Sequence, residues 1–173
     1  YEKIPWRRKS AELEAWKAYS DSIKKLRIID PACGSGVFLI IAFDILKAEL
    51  SIVNDKIAEL TGKDQHLDDL FDPDSEILLN NLFGVDVNAE SVEITKLSLW
   101  IKTAKWGKVL DSLSGNIRVG DSLMEDSNYA YIKHAFRWKT AFPKVFSEGG
   151  FDLVLGNPPY VRQELFSALK PYL

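Results

Sequence analysis

Apolar residues recur at helical spacing in three parts of the chain. In the first part Ser10 is a candidate N-cap. The apolar face that follows it comprises Leu13, Trp16, Tyr19, Ile23 and Leu26. A second, more apolar helix is predicted from about Val37 to Leu60, with Gly62 as its C-cap.

The third predicted helix begins after Asn88, a candidate N-cap, and ends at Gly107. Helical spacing places the apolar residues Ile94, Leu97, Ile101 and Ala104 on one face of this helix. Residues 64–74 are strongly acidic and are predicted to form a loop. Residues 121–150 form a long segment rich in aromatic side chains.

Short apolar runs separate the helices and predict four strands, at residues 27–30, 82–87, 117–119 and 151–155. The last run is nearly all apolar, which predicts a strand buried on both faces. Strands that alternate with helices imply an α/β fold with a doubly wound, Rossmann-like parallel sheet. Right-handed crossovers then place a ligand at the carboxyl ends of the strands, where the strand order reverses.

Composition narrows the class of protein. The chain has 173 residues, 46% of them hydrophobic and 27% charged, which suits one globular domain. No stretch reaches the roughly 20 apolar residues of a membrane span, and the single cysteine, Cys33, fits a reducing compartment. We therefore expect a cytoplasmic protein. The net charge of −3 argues weakly against a free-standing nucleic-acid binder.

The first strand leads into the turn Asp30-Pro31-Ala32-Cys33-Gly34-Ser35-Gly36. Its glycines allow a ligand to approach the backbone, and the following helix N-terminus attracts a negative group. A dinucleotide fingerprint would need a third glycine where Leu39 stands, and no P-loop lysine follows. Taken alone, the turn is equally consistent with a tight strand–helix connection that binds nothing.

The second and third strands each end in an acidic residue. Asp86 could accept hydrogen bonds from ribose hydroxyls, or it could cap the next helix. Asp121, in Val119-Gly120-Asp121-Ser122, could accept from an adenine amine. On its own, a capping role is the simpler interpretation of Asp121.

The fourth strand ends in Gly156-Asn157-Pro158-Pro159-Tyr160. Two prolines stiffen this loop and remove two N–H donors. The Asn157 side chain and the Pro158 carbonyl then offer two acceptors for an –NH2 group, and Tyr160 adds a flat face. A rigid surface loop without function is the alternative.

These four turns, in this order, resemble the amino-methyltransferases that use S-adenosylmethionine. The longer text from Trp138 to Glu164 looks like type IIG restriction–modification enzymes and their bacteriophage-exclusion relatives. The resemblance covers about residues 27–164. It implies the transfer of a methyl group to the N6 amine of a flipped-out adenine in DNA.

The resemblance also assigns roles to individual residues. Gly34 and Gly36 would line the methionine part of the cofactor, with Asp30 near its amino group and Ala32 and Cys33 beside it. Asp86 would bind the ribose hydroxyls. The residues expected around the cofactor's adenine are Asp121, Val87 and Ser122.

In the same resemblance, Asn157 and Pro158 would hold the target amine and Tyr160 would stack on the extruded base. Cys33 is not expected to act as a nucleophile, because cytosine-C5 methylation needs a cysteine where this chain has Asn157. His66 and His134 lie far from other ligand-type residues, so no metal site is expected.

The chain also departs from the family pattern. Three further strands, an upstream Thr-Pro motif and a target recognition region are missing, so we expect a helical segment at 1–26 and a partial methyltransferase domain at 27–173. Double-stranded DNA would be bound through the full-length protein, in which a fused nuclease domain is a further candidate. The fragment is expected to bind cofactor weakly, to be inactive alone, and to self-associate through an open edge of the fourth strand.

Three alternatives remain open from the sequence. Protein-glutamine and ribosomal-RNA guanine methyltransferases also carry Asn-Pro-Pro-Tyr, and their acceptors are likewise planar –NH2 groups. A non-catalytic scaffold could keep the same fold. Binding of S-adenosylhomocysteine would separate an enzyme from a scaffold.

Overall fold

A computed structural model describes residues 6–62, 73–104, 112–124 and 136–158. Its centre is a four-stranded parallel sheet with the strand order β3-β2-β1-β4. The strands are β1 (Ile28–Asp30), β2 (Leu82–Asp86), β3 (Ile117–Val119) and β4 (Leu153–Val154). This sheet confirms the prediction of an α/β, Rossmann-like methyltransferase fold.

Long helices cover one face of the sheet. Helix α1 (Trp6–Lys25) packs on α2 (Val37–Thr61). Helix α3 (Pro73–Glu76) and a π-helical turn (Ile77–Asn81) lead into β2, and α4 (Ala89–Thr103) connects β2 to β3. The fully buried core between these elements includes Leu39, Phe43, Val53, Leu82, Val92 and Leu99. None of the described helices is long and apolar enough to cross a lipid bilayer.

Aromatic residues cover the other face. Two short helices, α5 (Trp138–Ala141) and α6 (Pro143–Ser147), fold the end of the aromatic segment against β2. Phe142 and Phe151 meet the Phe83 ring edge-on, with centroids 5.5 Å and 5.4 Å away. The sheet therefore carries helices on both faces, as the doubly wound pattern requires.

Two buried asparagines hold the connections below the sheet. Asn81 Nδ2 donates to the carbonyls of Ile23 (2.8 Å) and Leu26 (2.7 Å), which ties the end of α1 to β2. Asn116 Nδ2 donates to three carbonyls around the π-helical turn, those of Leu78, Leu79 and Leu82. These bonds tie the π-helical turn to the end of α1 and to the segment before β3.

The predicted helix ends are largely confirmed. The Gly62 N–H donates to the Ala58 carbonyl at 2.8 Å with φ +68°, a left-handed C-cap. Asn88 Oδ1 accepts the N–H groups of Glu90 (2.7 Å) and Ser91 (3.2 Å). The Ser10 prediction is wrong, because α1 already begins at Trp6 and Ser10 lies within it.

The apolar face predicted for α4 is exposed, and α4 ends at Thr103, so the predicted end at Gly107 is wrong. Ile94, Leu97 and Ile101 are 51%, 54% and 68% exposed. The residues that α4 buries are Val92, Thr95, Leu99 and Thr103. Both sets have helical spacing, and the crossover from β2 to β3 selects the second because it packs that side on α2 and the sheet.

Strand β4 differs from its prediction too. It has two residues instead of five, and Leu153 and Val154 are 43% and 65% exposed. Successive side chains of a strand point to opposite faces, so the exposure of both residues makes the prediction of burial on both faces wrong. The acidic loop predicted at 64–74 lies mostly outside the described residues, and its last residue, Asp74, belongs to α3.

Candidate functional site

The four predicted turns follow the carboxyl ends of the four strands at one edge of the sheet. The chain passes from β1 outward to β2 and β3, and then returns to the other side of β1 as β4. The strand order therefore reverses between β1 and β4, which is where open α/β sheets bind ligands. The turns that flank this point are the glycine turn after β1 and the Asn157 loop after β4.

The glycine turn is held in a left-handed conformation. Gly34 and Gly36 have φ angles of +52° and +82°, which side chains with a Cβ rarely adopt. The Cys33 N–H donates to the Val85 carbonyl at 2.9 Å, and the Gly36 N–H donates to the Cys33 carbonyl at 2.7 Å. The turn is thus fixed to β2 and runs directly into α2.

Asp86 joins the first turn to the second. Its Oδ2 accepts the Gly34 N–H at 2.8 Å, and its Oδ1 accepts the Asn88 N–H at 2.9 Å. Each carboxylate oxygen has two lone pairs, so both retain capacity for another donor. The side chain is only half-buried, which leaves that capacity accessible.

Thr95 is a site residue that the sequence interpretation missed. Its hydroxyl donates to the Gly34 carbonyl at 2.8 Å. A Cβ on Gly36 would lie 2.8 Å from Thr95 Cγ2, so this contact itself requires glycine. Thr95 is a polar residue on the buried face of α4, and it becomes recognisable only when that face is known.

Asp30 is completely buried at the centre of the site. Its Oδ1 accepts the Ala32 N–H at 3.0 Å, while its Oδ2 is buried and has no hydrogen-bond partner among the described residues. Burial raises the pKa of Asp30, and the negative charge of nearby Asp86 raises it further, against the opposing effect of the Ala32 N–H. An unpaired buried carboxylate oxygen is costly, which points to a cationic or N–H group as its missing partner.

The cost of burying the Asp30 carboxylate predicts the effect of Asp30→Asn on stability. A carboxyl with a raised folded pKa holds its proton more tightly when folded, so the free energy of unfolding falls as the pH rises above the ordinary value of 3.8. The ionised group therefore opposes folding at neutral pH. Asparagine removes this cost and keeps an acceptor for Ala32, so we expect a higher melting temperature of the ligand-free protein at pH 7 by calorimetry.

The gain from Asp30→Asn should shrink as the pH falls through the raised pKa of the folded wild-type carboxyl towards 3.8, because the carboxyl is then protonated and neutral in the folded protein. Asp21→Asn, at an exposed position on α1, is the matched control and should change little. A lower melting temperature at pH 7, or a gain that is independent of pH, would contradict this account of Asp30.

Cys33 points its side chain into the core and away from the turn's surface. It is 5% exposed, and Thr95 Oγ1 lies 3.9 Å from its Sγ. Burial raises the pKa of the Cys33 thiol to about 12, so the thiol stays protonated at neutral pH. The backbone of Cys33 is the part that lies along the glycine turn.

The third turn is built around Asp121. Its Oδ1 accepts the Leu123 N–H at 3.1 Å. The Ser122 carbonyl accepts the Trp138 indole N–H at 3.2 Å, which attaches this turn to α5. A Cβ on Gly120 would overlap the Phe136 ring, so glycine is required there. Val87, which the resemblance places beside the cofactor's adenine, is 48% exposed.

The fourth turn lies against the first. The Leu155 N–H donates to the Ile29 carbonyl at 2.8 Å and extends the pairing of β4 with β1. A Cβ placed on Gly156 would lie 3.1 Å from Asp30 Oδ1. Asn157 and Pro158 follow and are exposed. Tyr160 lies outside the described residues, as do His66 and His134.

The structure therefore brings the first, second and fourth turns together around Asp30. Asp121 lies at the end of β3, two strands from β1, which is about 10 Å away at the usual strand spacing. In the described part of the chain, no three metal-ligating side chains form a group that could hold an ion. Fold and turns together define the core of a Rossmann-like methyltransferase.

Comparison with known proteins assigns this core to a family. The family described as Eco57I restriction-modification methylase matches residues 80–173, more than half of the chain. The chain belongs to this family, which confirms the resemblance noted from the sequence.

Similar proteins carry consistent names. A putative type II restriction enzyme and methyltransferase of Methanocaldococcus jannaschii is 38% identical over 62% of this chain. The type II restriction enzyme and methyltransferase RM.Eco57I of Escherichia coli is 30% identical over 92% of it. The adenine-specific methyltransferase PglX of Streptomyces coelicolor is 27% identical over 80%. The chain spans only 9%, 17% and 12% of the lengths of these three relatives.

Proposed function

We propose that the full-length protein transfers a methyl group from S-adenosylmethionine to the N6 amine of an adenine flipped out of DNA, as part of a restriction–modification enzyme. The observation that carries the proposal is the contact between the fourth and first turns at Asp30. This contact supports the proposal because the Asn157 loop has acceptors for an amine and the glycine turn has a backbone that a cofactor could approach. The four supporting turns all lie at the ligand-binding edge of the sheet.

The described residues fit S-adenosylmethionine. The unpaired Asp30 Oδ2 suits the cationic amino group of the methionine part. The Gly34–Gly36 backbone offers close approach without side chains, and Ala32 and Cys33 add backbone beside it. Asp86 keeps lone pairs for two ribose hydroxyls. Asp121 Oδ2 is available for an adenine amine, with Val87 and Ser122 on either side of that position.

S-adenosylmethionine, when bound, supplies a methyl group on a positively charged sulfur. The residues of the chain then have to present a nucleophile, and the adenine N6 lone pair is normally delocalised into the ring. Asn157 Oδ1 and the Pro158 carbonyl would accept the two N6 hydrogens. Both acceptors favour a pyramidal nitrogen whose lone pair is free, and the rigid loop fixes its direction.

The target base has to leave the duplex before it can reach this loop, which costs a few kcal/mol. Stacking on Tyr160 would return about 1–3 kcal/mol of that cost. The names of the relatives favour DNA as the substrate, and PglX is described as adenine-specific. Their much greater length supports further strands, a recognition domain and a possible nuclease domain elsewhere in the full-length protein.

The test is to identify the methylated product. The full-length protein is incubated with isotopically labelled S-adenosylmethionine and, in parallel reactions, with duplex DNA, ribosomal RNA or a cellular protein extract, and each acceptor is digested for mass spectrometry. We expect the label in N6-methyl-2′-deoxyadenosine. Label in protein or ribosomal RNA, with none in DNA, would overturn the proposal in favour of a glutamine or guanine acceptor.

A further inference from the structure

An open groove runs along the outer edge of the sheet beside β3. Its volume is about 520 Å³. The residues that line it come from α4, from β3 and the turn before it, and from α5 and its N-terminal approach. They are Lys96, Ser114, Ile117, Arg118, Val119, Phe136, Arg137, Thr140 and Ala141. We call this the β3-edge groove.

The charge of the β3-edge groove differs from that of the whole chain. Three of its lining residues are cationic, Lys96, Arg118 and Arg137, and none is acidic, although the chain carries a net charge of −3. Lys96 forms an ion pair with Glu93 at 2.7 Å. No ion pair within the described ranges neutralises the other two. The groove is therefore positively charged and suits an anion.

Arg118 is held in place for such a role. Its Nε donates to the Gly115 carbonyl at 3.1 Å, and its guanidinium carbon lies 5.5 Å from the centroid of the Phe142 ring. These two contacts fix the stem and one side of the guanidinium. A pre-positioned guanidinium with unused N–H donors binds phosphate oxygens at a small entropic cost.

The positive charge extends beyond the β3-edge groove. A neighbouring cavity of about 160 Å³ shares Arg118 and Ala141 with it and adds Arg27 and Lys144. Arg27 is paired with Glu148 at 3.1 Å, and no acidic residue lines this cavity either. Its lining residues Arg27, Asn80 and Gly115 precede β1, β2 and β3, so this added charge lies towards the amino ends of the strands, and Arg118 connects it to the β3-edge groove. Cations spaced along a surface fit a polyanion better than a single small anion.

The groove also lies at a suitable distance from the proposed chemistry. Strand β3 is three strands from β4, about 14 Å at the usual strand spacing. This is the sideways distance across the sheet, and about four to five base pairs of duplex, at roughly 3.4 Å each, span it. DNA engaged by the Asn157 loop can therefore pass along the β3 edge.

We infer that the β3-edge groove binds backbone phosphates of the DNA beside the target base, through Arg118 and Arg137. This inference rests on the proposed function, since it requires DNA as the substrate. Phosphate contacts fix the position of a protein on a duplex without reading its sequence. The groove would thus hold the duplex in register while the recognition of sequence takes place elsewhere.

The test measures the salt dependence of DNA binding by the full-length protein. Fluorescence anisotropy with a labelled duplex gives the affinity between 50 and 200 mM KCl. Each phosphate contact contributes about 0.9 to the slope of log affinity against log salt. The double variant Arg118→Gln/Arg137→Gln lacks two such contacts. Over this rise in salt, its affinity should therefore fall by a factor about 12 times smaller than the factor for the wild type.

Two further variants keep the test informative. Arg137→Gln alone changes an exposed side chain and should lower the slope by about 0.9 without affecting folding. Lys17→Gln with Lys56→Gln removes two exposed charges from α1 and α2 and should leave the slope unchanged. Binding of S-adenosylhomocysteine should be normal in all of them.

A wild-type slope in both arginine variants would overturn the inference while leaving the proposed function intact. An equal loss of slope in the lysine variant would also overturn it, because the effect would then reflect total charge. Failure of the unaltered full-length protein to bind DNA at all would instead remove the proposed function, and the inference with it.

Discussion

Asn157→Ala in the full-length protein is expected to slow methyl transfer to DNA by about 10²–10³-fold, the range found when one preorganised hydrogen-bonding group is removed from a transition state. Asn157 Oδ1 is the side-chain acceptor proposed for the target amine, and alanine offers none. The reaction would then depend on the Pro158 carbonyl alone. The measurement is the single-turnover rate of methyl incorporation at saturating cofactor and DNA.

Cofactor binding separates this role from a structural one. Asn157 is exposed, and its loop follows the pairing of β4 with β1, so the glycine turn should survive the substitution. Affinity for S-adenosylhomocysteine, measured by calorimetry, should be unchanged. Asn54→Ala, at an exposed position on α2, serves as the matched control. Retained methylation in Asn157→Ala would remove Asn157 from the proposed chemistry.

Asp86→Ala should have the opposite signature, with a large loss of cofactor binding. Hydrogen bonds to charged groups contribute about 1.5–3 kcal/mol each, and two ribose hydroxyls are proposed to donate to this carboxylate. The Gly34 N–H also loses its acceptor, which loosens the glycine turn. We expect the affinity for S-adenosylhomocysteine to fall by about 100-fold or more.

Asp44→Ala is the control for Asp86→Ala. Asp44 forms an exposed ion pair with Lys102 at 2.7 Å between α2 and α4, about two helical turns along α2 from the glycine turn. Its removal should cost little, as exposed ion pairs usually contribute less than about 1 kcal/mol. Equal cofactor affinity in Asp86→Ala and wild type would show that the second turn does not belong to the cofactor site.

Features that depend on neighbouring residues in the chain were predictable from the sequence. Asn88 caps the start of α4 and Gly62 caps the end of α2 through hydrogen bonds to residues two to four positions away, so the local sequence contains both partners. The glycines of the first turn were recognisable for the same reason, since positive φ angles are a backbone property. Both ends of β1, β2 and β3 were located to within one residue, because the apolar runs stop abruptly there.

Features that depend on distant neighbours were not predictable. The two candidate faces of α4 have the same spacing, and only its packing on α2 and the sheet decides that Thr95 is inside and Leu97 outside. The exposure of Leu153 and Val154 has the same cause, because burial of a strand requires covering elements that its own sequence does not specify. Thr95 could not be predicted as a site residue because the sequence does not show which face of α4 is buried.

The unpaired Asp30 oxygen could not be anticipated either. The sequence places a carboxyl at the end of β1, but its surroundings come from distant parts of the chain: a Cβ on Gly156 would lie 3.1 Å from Asp30 Oδ1, and Asp86 is close enough to raise its pKa. The placement of the cofactor beside the Asn157 loop stays a prediction.

The most direct measurement is a crystal structure of the full-length protein with S-adenosylhomocysteine. We predict that the ligand's amino group lies against Asp30 Oδ2, its ribose against Asp86, and its sulfur facing the Asn157 loop. Density for the ligand at any other edge of the sheet, with the space between Gly34–Gly36 and Asn157 filled by protein, would contradict the account.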